Sequence, residues 1–418
     1  MAADSPVQQR KTTVNQTAEG FLWGAATAAH QVEGNNVNSD FWAREGRRPG
    51  MERSGDACDS YHRYEEDMRL LAEAGLNAYR FSIEWARVEP VPGHVSRAEL
   101  AHYRRMIDTA RRLGLEPVVT LHHFTSPQWL AAEGGWTGER AVERFQAYVR
   151  AALGILQDVR WVCTINEPNM LALMAGMSRA AREDPEGAKK WMSPTLEGAA
   201  RPVLPDPDPA IGTRLTEAHH AASEILREYT DASVGWTVAC QALTALPGHE
   251  DRLKEVRYVR EDLYLEAARG DDFIGVQSYS SQNVDAGGVV PHPQGPDTTL
   301  TGNAYRPDAL GIAVRHAWRT TNHVPVLVTE NGIATADDNR RIAYTGEALR
   351  HLFAAMDDGV DVRGYLHWSA LDNYEWGHWK PTFGLIAVDR ETFERHPKPS
   401  LAWLGEVARG GRTVLAEG

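Results

Sequence analysis

The sequence predicts one α/β domain built as a (β/α)8 barrel with long βα loops around its mouth, and three observations predict it. Eight short apolar runs alternate with stretches of helical periodicity along the chain, the pattern of a parallel sheet wrapped in helices. No linker and no internal repeat divides the 418 residues, a length that barrels of this kind reach through long loops on a single core. The residues that close the apolar runs are polar or aromatic, and in such a barrel the carboxyl ends of the strands carry function.

In chain order the runs are FLWGAAT (21–27), AYRFSIEW (78–85), PVVTLHH (117–123), WVCTINE (161–167), VGWTVA (234–239), FIGVQSY (273–279), VPVLVTE (324–330) and RGYLHWS (363–369). Between them, YEEDMRLLAEAG has apolar residues at helical spacing and ends on Gly75, which can take the left-handed conformation of a helix stop. RAELAHYRRMIDTARRLG repeats the design and ends on Gly114. Two Pro/Gly-rich stretches, 184–211 and 281–308, exceed ordinary connections and follow the fourth and sixth runs, so they are expected to shape the mouth. The barrel domain is expected over 19–410, with a flexible tail at 1–18 and another at 411–418.

Composition narrows the partners. With 42% hydrophobic residues and 13 tryptophans the chain can bury a large core. A net charge of −13, without a dense Lys/Arg tract, repels nucleic acid and anionic membrane, which leaves small neutral molecules as the expected partners. The opening MAADSPVQQRKTTVNQTAEG lacks the apolar core of a secretory signal, and no run approaches the roughly 18 apolar residues of a membrane span; a cytoplasmic location is expected. Cys58, Cys163 and Cys240 lack metal-ligand spacing and are read as reduced structural thiols, with no metal and no cofactor. The oligomeric state is not legible.

The strand ends then supply the chemistry. Gln31 follows the first run, Arg80 lies within the second, His123 closes the third, Asn166 and Glu167 the fourth, Tyr279 the sixth, Glu330 the seventh and Trp368 the eighth. One such residue alone would read as a solvated loop start, but the set does not. Carboxylates ending the fourth and seventh strands face each other across the mouth, as double-displacement glycoside hydrolysis requires: one attacks and the other moves protons. The attacking carboxylate must stay ionised, so a cation and a hydroxyl donor belong beside it. Arg80 and Tyr279 are the candidates, against the plainer reading of core packing with an incidental ion pair.

Four strings in the correct order now carry a specific resemblance. From about residue 20 to 405 the chain resembles glycoside hydrolase family 1, whose members are retaining β-glycosidases on TIM barrels. FLWGAATAAHQVEG resembles the family's amino-terminal signature and implies that Gln31 binds sugar hydroxyls. TINEP resembles its acid/base motif, implying Glu167 as proton donor with Asn166 on the sugar's 2-hydroxyl. VTENG resembles the nucleophile motif and implies Glu330. WSALDNYEW resembles the sugar-binding segment, implying Trp368 as stacking platform and Glu375 and Trp376 at the outer hydroxyls. The family also implies a cis peptide between Trp368 and Ser369.

Departures accompany the match. Where the family usually has His-Trp after the third strand this chain has His123 and Phe124, which lacks the indole donor; where it usually has Asn in the sixth strand it has Gln277, one methylene longer. His123 and Gln277 are expected to bind substrate, but with altered hydrogen bonding around the scissile sugar. GHWKPTFG after Trp376 is shorter than is common in the family.

The expected activity is hydrolysis of β-glycosides or oligosaccharides of a neutral sugar, with glucose first and galactose or fucose as alternatives. A transglycosylase using the same glycosyl-enzyme is a second reading. A catalytically silent carbohydrate-binding protein is a third, and its sign would be a lost carboxylate; both are present. The aglycone is not legible.

Overall fold

Each of the eight apolar runs forms a strand buried on nearly its whole length, which is why the runs are continuous rather than alternating. A computed structural model describes residues 20–47, 50–185, 205–290 and 292–416. The strands are β1 (Leu22–Ala26), β2 (Ala78–Ser82), β3 (Glu116–His122), β4 (Trp161–Asn166), β5 (Ser233–Ala239), β6 (Ile274–Gln277), β7 (Val326–Asn331) and β8 (Val362–Trp368). All pair in parallel and close in the order β1-β8-β7-β6-β5-β4-β3-β2.

Helices return the chain between strands, among them Ser60–Ala74, Arg97–Arg112, Ala141–Leu156, Pro209–Tyr229, Ala309–Thr320, Asp338–Asp357 and Pro399–Gly410. The expected stop at Gly75 is present, with φ 102°, and Gly114 follows the end of Arg97–Arg112 with φ 78°. A large apolar cluster fills the layer between strands and helices. A smaller one, including Leu22, Ala78, Val118, Cys163, Leu327 and Leu366, joins six of the strands with Phe273, the residue just before β6. Ala78 stands two residues before Arg80 on β2 and shares its face, so this cluster lies on the inner face beneath the mouth. All three cysteines are buried and unpaired.

The predicted strands overrun the observed ones at their carboxyl ends for local reasons. Glu84 accepts the N–H of Ala86 at 3.1 Å and caps the short helix Trp85–Val88, ending the second run early. Glu167 leaves the ladder at φ 43° to head helix Pro168–Glu183.

The tail expected at 1–18 lies outside the described residues, as does 186–204 of the long stretch after β4. Within 281–308 the chain forms a small hairpin, Asn283–Asp285 with Gly288–Val290. Within the stretch expected as a tail at 411–418, the described part is ordered against the barrel: Arg412–Ala416 is helical, Leu415 is buried, and Arg350 donates to the Leu415 carbonyl at 2.8 Å, while 417–418 lie outside the described residues. No described helix is long and apolar enough to cross a membrane.

Register positions the strand ends. Ala26 lies opposite Arg80 and Trp368, Asn166 opposite Thr237, and Gln277 opposite Glu330. The ladders slip just before both carboxylates: β4 holds an extra residue between Cys163 and Asn166 relative to β5, and β7 holds one between Val328 and Glu330 relative to β6. Such bulges re-aim side chains. Gly275 makes room at this level, since a Cβ there would come within 2.5 Å of the Thr237 side chain.

Candidate active site

Arg80 organises the floor of the mouth. It is fully buried, and its fork is completely used: Nε donates to Thr120 Oγ1 at 3.0 Å, Nη1 to Glu330 Oε1 at 2.6 Å, and Nη2 to Asn166 Oδ1 at 2.5 Å. A guanidinium left without acceptors here would be costly, so the pairing is obligatory.

Glu330 collects two further donors. Gln277 Nε2 reaches Oε1 at 2.8 Å, and the Tyr279 hydroxyl reaches Oε2 at 2.5 Å. Burial pushes this carboxyl up, while Arg80 and the Tyr279 hydrogen bond pull it down. Glu167 shares burial and the charge of Arg80, but no hydrogen bond lowers it. Burial and then the charge of Glu330 push it well above the usual carboxylate range, and the smaller pull of Arg80 does not reverse the effect. Its side chain takes no capping bond from the helix it heads. Both carboxyls are raised, Glu167 the further, so of the two Glu330 is the more readily ionised.

Asn166, beside Glu167, is locked. Its Oδ1 accepts from Arg80, from Thr237 Oγ1 at 3.0 Å and from Gln277 Nε2 at 2.8 Å, which assigns Nδ2 to the neighbour on its other side, His123 Nε2 at 3.2 Å. His123 Nε2 must then be the acceptor, and the ring proton sits on Nδ1, which is buried without a partner. Burial, and then Arg80, hold His123 well below its ordinary value, so it is neutral.

Aromatic rings form the wall. His123 stacks on Trp368 and Trp376 at 5.9 and 6.0 Å between centroids. Trp376, at φ 48°, lies parallel to His30 (8°, 5.8 Å) and meets Phe124 edge-on at 4.9 Å. Phe124 thus packs where an indole could have donated. The Trp368–Ser369 peptide is cis, and Trp368 Nε1 donates to Glu375 Oε1 at 3.2 Å. Burial pushes Glu375 up to about 8, partly offset by that indole. Gln31 is buried, with Nε2 on Asn373 Oδ1 at 3.0 Å and the Tyr374 carbonyl at 2.9 Å, leaving Oε1 without a partner. The short segment after Trp376 is pinned to the 52–53 region, where Trp379 donates to Glu52 and to the Arg53 carbonyl.

The structure brings Arg80, His123, Asn166, Gln277, Tyr279 and Glu330 into one connected network with Trp368 and Trp376, and links Trp368 to Glu375. It adds residues that sequence reasoning missed. Thr120 and Thr237 hold Arg80 and Asn166; each is a polar residue inside an apolar run, which is the signal that could have found it. His30 backs Trp376 and is itself held, with Nε2 2.8 Å from Glu45 Oε1 and Nδ1 3.0 Å from Asn36 Nδ2. Nothing in the sequence pattern distinguishes it from a core histidine.

A closed parallel barrel with two carboxyls in unlike settings at two strand ends, walled by tryptophan, defines a class: the glycoside hydrolases that act on O-glycosyl bonds. Sequence comparison makes it specific. The profile of Glycosyl hydrolase family 1 matches residues 13–185 and 264–412, and the chain belongs to that family, so it is a retaining β-glycosidase. Thermostable β-glucosidase B of Thermobispora bispora is 32% identical over 443 residues, covering 94% of this chain and 90% of that protein. Among solved structures, β-glycosidase BGL167 superposes with a TM-score of 0.83 at 43% identity, over 93% of this chain and 96% of that one. The β-glucosidase of Thermotoga maritima in complex with glucoimidazole gives 0.82 at 26% identity, over 95% and 99%. Strand β5 falls outside the matched stretches, yet it pairs with β4 and β6 and supplies Thr237.

Proposed function

We propose that this chain hydrolyses β-glycosides of a neutral, unphosphorylated sugar, glucose first, with Glu330 as nucleophile and Glu167 as acid/base. The observation that carries the assignment of roles is the asymmetry of donors: Glu330 has three, and Glu167 has none and feels Glu330's charge. Glu330 attacks the anomeric carbon as Glu167 gives its proton to the leaving oxygen, so the glycosidic bond breaks as the glycosyl–Glu330 ester forms. Glu167, now a carboxylate, takes a proton from water, whose oxygen attacks the same carbon and frees Glu330. An alcohol in place of that water makes the product a glycoside, so transglycosylation needs no further group. Galactose and fucose remain the alternative sugars. Glucose is favoured because the curated relative and the liganded neighbour are both named β-glucosidases.

Gln31, His123, Trp368, Glu375 and Trp376 make up the sugar's wall in this reading, and the unpartnered Gln31 Oε1 and His123 Nδ1 are the acceptor and donor left for its hydroxyls. A panel of aryl β-glycosides differing only in the sugar, with products followed by NMR, tests sugar and stereochemistry together. A first-formed α-anomer would overturn the scheme. The cytoplasm is the proposed location, supported by three buried thiols of which none is paired.

Two further outcomes are expected. Tyr279→Phe removes a hydrogen bond to a charged acceptor and should lower kcat roughly ten- to hundredfold. Because that bond holds Glu330 down, its loss raises Glu330, and the acid limb of kcat/KM moves to higher pH; an unmoved limb would show that Tyr279 does not tune Glu330. Second, no cation is among the largest influences on Glu375, and Arg80 is already spent on Glu330 and Asn166. A 6-phosphate beside Glu375 would stay uncompensated, so a 6-phosphoglycoside should react at least roughly 100-fold more slowly than its parent. Faster turnover of the phosphorylated substrate contradicts this.

A further inference from the structure

Gln277 ends β6 and is 1% exposed. Its Nε2 has two hydrogens and three oxygens in reach: Asn166 Oδ1 and Glu330 Oε1, both at 2.8 Å, and Thr237 Oγ1 at 3.1 Å. Turning the amide over would set its carbonyl against a carboxylate and another carbonyl, so the network fixes the orientation. Oε1 is thereby left buried with no partner. An orphaned acceptor in a native interior calls for an explanation.

Asn166 sharpens the point. Its Oδ1 already accepts from Arg80, Thr237 and Gln277, so toward a sugar it has only an Nδ2 hydrogen to give. It can hold a hydroxyl's oxygen but cannot take that hydroxyl's proton. Gln277 Oε1, one amide width from the nitrogen that touches both Asn166 and Glu330, can only accept.

The ligand follows from the chemistry of the reacting carbon. A sugar attacked by Glu330 presents, next to its anomeric carbon, the ring oxygen and the C2 hydroxyl. The ring oxygen has no proton to give; the C2 hydroxyl has one. We propose that Gln277 is a specificity-determining residue whose Oε1 accepts the proton of the C2 hydroxyl, while Asn166 Nδ2 donates to the same oxygen. The inference rests on Glu330 being the nucleophile, and it makes the chain selective for glycosides with a free 2-hydroxyl. The methylene by which glutamine exceeds the family's usual asparagine is what puts the nitrogen on Glu330 and the oxygen at C2.

The test is a cycle of two substrates against two variants. The rate constant kcat/KM is measured for 4-nitrophenyl β-D-glucoside and its 2-deoxy analogue with the wild-type protein, Gln277→Leu and Gln277→Met. Losing the donor to Glu330 slows both substrates alike, and the intrinsic reactivity of the 2-deoxy sugar is common to all three proteins, so both cancel in the ratio. The preference for the 2-hydroxy substrate should fall about tenfold in each variant, the worth of one hydrogen bond. Methionine, flexible and of similar length, keeps the cycle usable if leucine fails to fold, with thermal melting reporting folding. Equal losses on both substrates overturn the proposal alone and assign the proton to Glu330. A wild-type protein inactive on both substrates overturns the proposed sugar and this inference with it.

Discussion

Glu330→Ala should abolish turnover whatever the leaving group, with kcat falling on the order of 10⁵-fold, because no other carboxylate can form the ester. The fold should survive less easily than the substitution suggests. Arg80 would keep only Thr120 and Asn166 as partners, leaving its charge buried without a counter-ion, which costs about 3–5 kcal/mol. Glu330→Gln keeps the shape: with its amide oxygen in the place of Oε1 it still accepts from Arg80, and its NH2 can donate to the Tyr279 oxygen, so it separates loss of the charge from loss of the hydrogen bonds. Azide, a small anion, can enter the space freed in the alanine variant, meet Arg80 and attack the anomeric carbon. One displacement on a β-glycoside inverts it, so the product is the α-azide. Recovery of a β-azide, or residual turnover within a hundredfold of wild type, would remove Glu330 from the nucleophile's role.

Glu167→Ala should separate substrates by their leaving groups. Dinitrophenolate departs without a proton, so the first step should proceed and the glycosyl–Glu330 ester accumulate, seen as a burst of about one equivalent. Unactivated glycosides should slow on the order of 10³-fold, within the range for general acid catalysis. The second step lacks its base, and azide, which needs none, should restore it. Two displacements retain configuration, so the product is now the β-azide. The pH profile carries the same information. Glu167 is raised further above the ordinary carboxylate range than Glu330, so wild-type kcat/KM should be bell-shaped, with the acid limb from Glu330 and the alkaline limb from Glu167. The alkaline limb should vanish in the variant; its persistence would move the acid/base role elsewhere.

The barrel was legible because parallel strands buried on both faces read as continuous apolar runs, and each run found its strand. What misled was the ends. Trp85 reads as apolar strand but begins a helix, because Glu84 caps the backbone that follows. Glu167 and Phe124 read as strand or loop with equal ease, and left-handed backbone at both turns the chain out of the sheet. In the site, charged and amide residues at strand ends announced themselves. Thr120 and Thr237 did not, because a lone threonine in a run of valines is compatible with β structure and shows its purpose only when register sets Asn166 opposite Thr237. His30 was invisible for a different reason: its function is to lie flat against a tryptophan 346 positions away, a relation that no local pattern encodes.

The slipped ladders in β4 and β7 bear on transplantation. Side chains alternate along a strand, so pairing β7 with β6 residue for residue, without the slip, would set Thr329 rather than Glu330 opposite Gln277 and turn every later side chain to the opposite face. Thr329 would then look into the lumen and the carboxylate outward, into the helical shell. A designer copying this centre onto another eight-stranded scaffold must therefore copy two defects in hydrogen bonding along with the side chains. The same arithmetic separates two kinds of length change: a single-residue insertion within these two strands shifts the phase of every side chain beyond it, whereas lengthening a loop beyond them leaves the phase of the strands untouched.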